Sequence, residues 1–233
     1  MQRILVLNPK GGSGKTTVAT NLAGYFASHG DHPLLTDNDP QGSSMRWLKK
    51  RPPQQALIHG AAAFERDPRV TRAWQMRTPA DARHVIVDTP AAIPAQLLPD
   101  VTRNADAIVV PVLPSDIDIH AFSKCIADLL LIAKVSRNEN RIGVVANRVK
   151  RNTLAYQSLL RFLATLRIPV IATLRDSQNY LRAAECGLGL HEMKRQAVAQ
   201  DLDDWAPLLQ WLQEKECAVR GEAEAAGSLP ATA

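Results

Sequence analysis

The chain has 233 residues, 45% of them hydrophobic and 22% charged, with a net charge of +5; that is enough for one large α/β domain with a real core, and unlike a disordered or fibrous chain. No apolar run approaches the ~20 residues that span a bilayer, and the three cysteines, Cys125, Cys186 and Cys217, are scattered without C-x-x-C spacing, which argues against a membrane span, a disulfide framework and a cysteine-bound cluster. The first apolar run begins almost at the N-terminus, leaving no room for a secretory leader, so the expected compartment is the cytoplasm.

That run, Ile4-Leu5-Val6-Leu7, belongs to the first expected strand, Arg3–Leu7, and it leads into Asn8-Pro9-Lys10-Gly11-Gly12-Ser13-Gly14-Lys15-Thr16-Thr17. A helical pattern follows from Thr16 to about His29. Strand, glycine-rich turn and helix start together form the context of a phosphate-binding loop. Glycines let the backbone fold tightly enough for successive N–H groups to meet one anion, and the helix start adds its dipole. In this reading Gly11, Gly12, Ser13 and Gly14 form the cradle, Lys15 reaches the outer phosphates, and Thr16, with Thr17 beside it, offers a hydroxyl to Mg²⁺. The strict pattern G-x-x-x-x-G-K-[ST] fails, because Pro9 stands at the first glycine and has no N–H to donate. The match is to x-K-G-G-x-x-K-[ST], with a second lysine, Lys10, poorly placed to hold its own loop's ligand and able to reach a facing subunit, as an arginine finger does. The plain alternative is an ordinary strand-to-helix turn.

A second strand, Pro33–Thr36, leads into Asp37-Asn38-Asp39-Pro40-Gln41-Gly42. In extended chain Asp37 and Asp39 point the same way, and two carboxylates beside phosphates are costly unless cations compensate; a plain turn is the alternative. Ser43 to Lys50 reads as a short helix stopped by Arg51-Pro52-Pro53, and a further helix is expected from about Gly60 to Met76, with Arg66, Arg69, Arg72 and Arg77 on its polar side. The third strand, His84–Asp88, contains Val85-Ile86-Val87-Asp88-Thr89-Pro90 and ends in a carboxylate suited to holding a Mg²⁺-bound water.

Strands follow at Ala107–Val112, Arg141–Ala146 and Pro169–Thr173. Ser115 and Asp118 have the spacing of a capping box, and Phe122, Ile126, Leu129, Leu130 and Ala133 form a core-facing stripe behind it. Val198, Leu202, Trp205, Leu209 and Leu212 form another stripe, interrupted by Pro207, so a kink or break is expected near Ala206. The expected domain covers 1–215, with a disordered tail at 216–233. Short apolar strands alternating with helices predict an α/β fold: a mainly parallel sheet with helices on both faces, of the P-loop NTPase kind. Charge is uneven. Residues 141–195 hold ten Lys/Arg against three Asp/Glu, and residues 196–233 hold two against seven, a contrast that suggests a polyanion partner or equally a scattered solvated surface.

The loop, the Asp37–Gly42 segment and the Asp88 strand together resemble the ParA/MinD family of deviant Walker A ATPases, over Met1 to about Leu212. The resemblance implies ATP and Mg²⁺ as cofactors and an ATP-dependent homodimer across which Lys10 is donated. It implies Lys15 and Asp39 as further catalytic residues, Asp39 polarising the attacking water, with Asp37 near the metal alongside Thr16 and Asp88. It places Asn147 at the adenine, with Arg148 beside it or simply a surface charge, and Arg175 in a second segment near the base. A trans lysine that must arrive first implies slow, partner-stimulated hydrolysis. ParA-type relatives bind DNA without sequence preference, so Lys150, Arg151, Arg182, Lys194 and Arg195 become DNA candidates and a nucleoid location is implied. The implied role is partition or positioning of a cargo, as in small plasmid partition proteins and carboxysome-positioning ATPases, with a small adaptor of ParB or McdB type. The basic amphipathic tail helix of MinD-like membrane cyclers is missing. A MinD-like regulator, a scaffold of polar arrays and a small-molecule ATP-dependent enzyme of the same fold remain as alternatives.

Overall fold

The computed structural model describes residues 1–65, 71, 77–136, 139–166 and 168–227, with side chains described to residue 218. Its strands are β1 (Gln2–Val6), β2 (Leu34–Asp37), β3 (His59–Ala62), β4 (His84–Asp88), β5 (Ala107–Val112), β6 (Ile142–Val149) and β7 (Val170–Arg175). The helices are α1 (Lys15–Ser28), α2 (Ser43–Lys49), α3 (Leu98–Thr102), α4 (Asp116–Leu131), α5 (Leu154–Leu166), α6 (Asn179–Glu185) and α7 (Arg195–Gly227). The seven strands form one sheet in the order β3-β2-β4-β1-β5-β6-β7, with every pairing parallel. The expected α/β architecture is the one observed.

The pleat sorts the core into two layers. Ile4, Val6, Leu35, Ile86, Val109 and Val145 face α1, α2, α6 and α7, where Leu22, Trp47, Ala183, Trp205 and Leu212 meet them. Their neighbours Leu5, Leu7, Val85, Val87, Ile108 and Val110 face α3, α4 and α5 and pack on Leu98, Phe122, Ile126, Leu129, Leu159 and Leu163. Strands buried on both faces read as unbroken apolar runs, which is why six of the seven were visible in sequence. Because all strands are parallel, the ends of β1, β2, β4, β5 and β6 gather at one edge, where open α/β sheets bind ligands.

Three expectations need correction. Gly60-Ala61-Ala62 begins the expected helix, yet it forms β3, paired with β2 from Leu34↔His59 to Asp37↔Ala62. Sheet pairing and close packing override propensity there: a Cβ on Gly60 would lie 2.4 Å from a Leu48 methyl. Residues 63–65 are turn or bend, and most of the remaining expected helix, with Arg66, Arg69 and Arg72, lies outside the described residues. Second, α7 runs unbroken through Pro207. An interior proline costs about 3 kcal/mol, but Trp205, Leu208 and Leu212 are each at most 1% exposed, and such side chains contribute roughly 1.5–3 kcal/mol each on burial. Third, β6 continues to Val149, so Asn147 and Arg148 lie within the strand, at a register shift between Ala146 and Val149. Helix α7 also carries on past residue 215 to Gly227. No helix among the described residues is long and apolar enough to cross a membrane.

Candidate functional site

The loop between β1 and α1 is fastened before it turns. Buried Asn8 donates from Nδ2 to the Pro111 carbonyl on β5 (2.6 Å) and accepts the Lys10 N–H on Oδ1 (2.8 Å). Gly14 has φ 95°, in the left-handed region that suits glycine, and a Cβ there would come within 2.1 Å of Asn147 Nδ2. The steric fit explains why this position holds glycine.

Lys15 is 7% exposed, and its ammonium donates to the Lys10 carbonyl at 3.1 Å. Burial pulls its pKa down, while Asp88 and Asp39 push it back up. An ammonium held largely out of water against one carbonyl suits a multiply charged anion as its counter-charge.

Asp88, at the end of β4, accepts two hydroxyls on one oxygen: Thr16 at 2.8 Å and Ser44 at 2.7 Å. Burial raises its pKa to about 6, the two hydroxyls lower it and Asp37 raises it. Its other oxygen, Oδ1, is buried without a hydrogen-bond partner among the described residues. Such an oxygen beside the Thr16 hydroxyl fits Mg²⁺ held partly through water and phosphate. No cluster of three or more His, Cys, Asp or Glu among the described residues could hold a metal alone, and a nucleotide-bound Mg²⁺ needs none.

Asp37 is fully buried and spends both oxygens on backbone, accepting the Asp39 N–H (3.1 Å) and the Met45 N–H (3.0 Å). It ties the segment after β2 to the first turn of α2. Asp39 is half-buried on that segment and accepts the Gln41 N–H at 2.9 Å.

Lys10 does not point into the cradle. Its Nζ lies 2.6 Å from Asp118 Oδ2 on the first turn of α4, with the lysine side chain 32% exposed and the aspartate 3%. Ser115 caps α4 by accepting the Asp118 N–H, and its hydroxyl donates to the same carboxylate. The expected cap is present, but the Asp118 side chain is turned toward Lys10.

Asn147 donates to the Ser13 carbonyl at 2.8 Å and accepts the Arg148 N–H at 3.0 Å, so β6 is hooked to the loop. Arg148 is exposed, has φ 51° and pairs with Asp176 at 3.1 Å. Arg175 is drawn the other way, onto α7: its Nε reaches Asp201 at 2.5 Å, its Nη1 reaches Gln200 at 2.7 Å and its backbone N–H meets Asp204. Arg151 also pairs with Asp204, at 2.8 Å. Lys150, Arg182, Lys194 and Arg195 are exposed and carry no ion pair among the described residues.

The structure therefore gathers Lys10, Gly11, Gly12, Ser13, Gly14, Lys15, Thr16, Thr17, Asp37, Asp39, Asp88 and Asn147 at one sheet edge and leads the Arg175 side chain away to α7. Ser44 and Asp118 make contacts at this edge that sequence reading missed. Ser44 lies 44 positions from its carboxylate and Asp118 lies 108 from its lysine, so neither pairing leaves a local signal.

Residues 4–190 match the family model described as the CobQ/CobB/MinD/ParA nucleotide-binding domain. The chain is 32% identical over 215 residues to maintenance of carboxysome distribution protein A of Gloeobacter kilaueensis, a match covering 87% of this chain and 94% of that protein. It is 26% identical to the protein of the same description from Halothiobacillus neapolitanus, over 82% of this chain and 87% of the other. The structure of apo McdA from Cyanothece superposes with a TM-score of 0.67 at 15% identity, covering 92% of this chain and 99% of that one.

Proposed function

Since the chain belongs to the CobQ/CobB/MinD/ParA nucleotide-binding family, we propose that it is an ATPase that dimerises on ATP, rides on DNA and positions or partitions a cytoplasmic cargo. A protein organelle of the carboxysome kind is the cargo favoured by the relatives that align along most of their length. The position of Lys10 carries this reading: its ammonium stands at the rim of the loop, held by one replaceable carboxylate, while Lys15 occupies the cradle. A lysine so placed serves a nucleotide in a facing subunit better than its own.

In this scheme the loop amides and Lys15 bind and orient the triphosphate, which accounts for most of the catalytic advantage in phosphoryl transfer. Thr16 and Asp88 would hold Mg²⁺, which would supply neutralisation of phosphate charge. Asp39 orients the attacking water, and Asp37 keeps the segment carrying Asp39 in register with α2. Asn147, hooked to Ser13, reports the state of the loop to β6 and meets the base, with Arg148 at its flank. Turnover is slow in the monomer and rises when a small ParB- or McdB-type adaptor stabilises the dimer. DNA is held through phosphates by Lys150, Arg182, Lys194 and Arg195, with a lesser part for Arg151, whose guanidinium is already paired.

The test is Lys10→Ala. Light scattering with ATP and Mg²⁺ is expected to show the wild-type dimer lost while monomeric nucleotide binding stays within about threefold. A dimer of normal strength in the variant would refute the reading.

A further inference from the structure

At the far end of the sheet from the phosphate loop lies a second charged cleft of about 790 Å³, open to solvent and lined by Arg3, Arg103, Arg141, Lys215, Asp106 and Glu139 among others. Four side-chain cations face two carboxylates there. Arg3 opens β1 and Asn8 follows its end, so the cleft and the loop lie about 15 Å apart at ~3.3 Å per residue.

The informative residue is Arg3. Its side chain is half-buried, yet the guanidinium makes no hydrogen bond or ion pair among the described residues. The nearby carboxylate of Asp106 accepts the Arg3 backbone N–H at 2.6 Å, and its charge partly offsets the burial of the guanidinium. A guanidinium has five donors in a fixed fork, and those of Arg3 are not among the buried atoms left without a partner, so they face the open cleft, where a phosphate could replace water on them. The other cations are only partly used. Arg141 donates to the Ala105 carbonyl (2.9 Å) and pairs with Glu139 (2.5 Å), Lys215 reaches the Glu139 carbonyl at 3.4 Å, and Arg103 pairs with exposed Asp100.

Planar forks beside an ammonium, in a cleft within the ~300–1,000 Å³ of small-ligand sites, suit phosphate oxygens. We infer that the cleft framed by Arg3, Arg141 and Lys215 is a second anion site that takes phosphate groups, either as a free polyphosphate or as the backbone of bound DNA. Arg3 supplies the fork, Arg141 and Lys215 flank it, and Arg103 contributes field from the rim.

The experiment uses the full chain carrying Lys15→Ala, which silences the nucleotide loop and so separates this site from the proposed ATPase. Inorganic tripolyphosphate is titrated calorimetrically at low salt. Binding is expected, weakened at least about tenfold by Arg3→Gln, the worth of a hydrogen bond between charged partners, with partial recovery in Arg3→Lys and a smaller loss in Lys215→Glu. Arg3 is partly buried, so thermal unfolding accompanies each variant; if Arg3→Gln does not fold, Lys215→Glu decides. No heat of binding in the Lys15→Ala chain, or affinity unchanged in every folded cleft variant, overturns the inference. A short duplex that displaces tripolyphosphate identifies DNA as the source of the phosphates, and a duplex that does not compete identifies a free anion; both results retain the site.

Discussion

Thr16 and Ser44 direct their hydroxyls to the same oxygen of Asp88 and leave the other without a partner. Two donors on one oxygen fix the carboxylate's rotation, so the second oxygen has a defined direction. Ser44→Ala is expected to cost about 1–3 kcal/mol of stability, the range for a buried bond to a charged group, and to raise the Mg²⁺ concentration needed for half-maximal hydrolysis. Thermal unfolding and a Mg²⁺ titration check both halves; an unchanged Mg²⁺ requirement would limit Ser44 to packing. A different residue bears on acid tolerance. His191 lies edge-on to Tyr25 (4.8 Å) and Trp205 (6.2 Å), and burial, helped by His29, lowers its pKa to about 4. The unfolded imidazole takes its proton near 6.5, so stability that is complete above that pH is lost as pH falls from about 6.5 to 4. His191→Gln is expected to lose less of its melting temperature than wild type across that window, measured by scanning fluorimetry. At this scale Lys15, Thr16 and Asp88 were legible because loop and strand motifs have fixed spacing. Ser44 and Asp118 were not, since only the folded chain brings them to their partners.

The first turn of α4 joins a helix cap to a lysine clasp, because the Ser115 hydroxyl and Lys10 share the Asp118 carboxylate. The proposed dimerisation through Lys10 would give up that ion pair. Asp118→Asn removes its charge while keeping the shape, and is expected to tighten the ATP dimer by up to about fivefold, the worth of a partly exposed pair. Sedimentation at graded protein concentration measures this, and a weaker dimer would show that Asp118 assists the lysine instead of detaining it. The legibility of other elements followed their burial. Strands sealed on both faces announced themselves as apolar runs, whereas β3 lies at the sheet's edge with a Gly-Ala-Ala sequence that names no secondary structure. Pro207 misled for the opposite reason: a local rule predicted a break, and the burial of Trp205, Leu208 and Leu212 outweighed it.

Charge is best judged on the whole molecule. The basic stretch 141–195 and the acidic stretch 196–233 look like separate surfaces in sequence, but folding lays part of one on the other, with Asp201 and Asp204 on α7 meeting Arg175 and Arg151. That leaves Lys150, Arg182, Lys194 and Arg195 without a hydrogen-bonded or ion-paired side chain among the described residues, while Arg161 bonds only to Ser158. Arg182→Glu with Lys194→Glu is therefore expected to weaken DNA binding at low salt and to flatten the salt dependence by roughly two phosphate contacts. Mobility shifts across a salt series read this; an unaltered slope would move the DNA face elsewhere on the molecule.

With every strand running the same way, the molecule has a front and a back. The front carries the nucleotide machinery, whose parts constrain one another tightly. The back carries the starts of the strands and the cleft around Arg3, Arg141 and Lys215, so it can change its attachments without disturbing the loop at the front. Substitutions on that rear surface and the outward faces of the helices would therefore leave the loop geometry at the front unchanged.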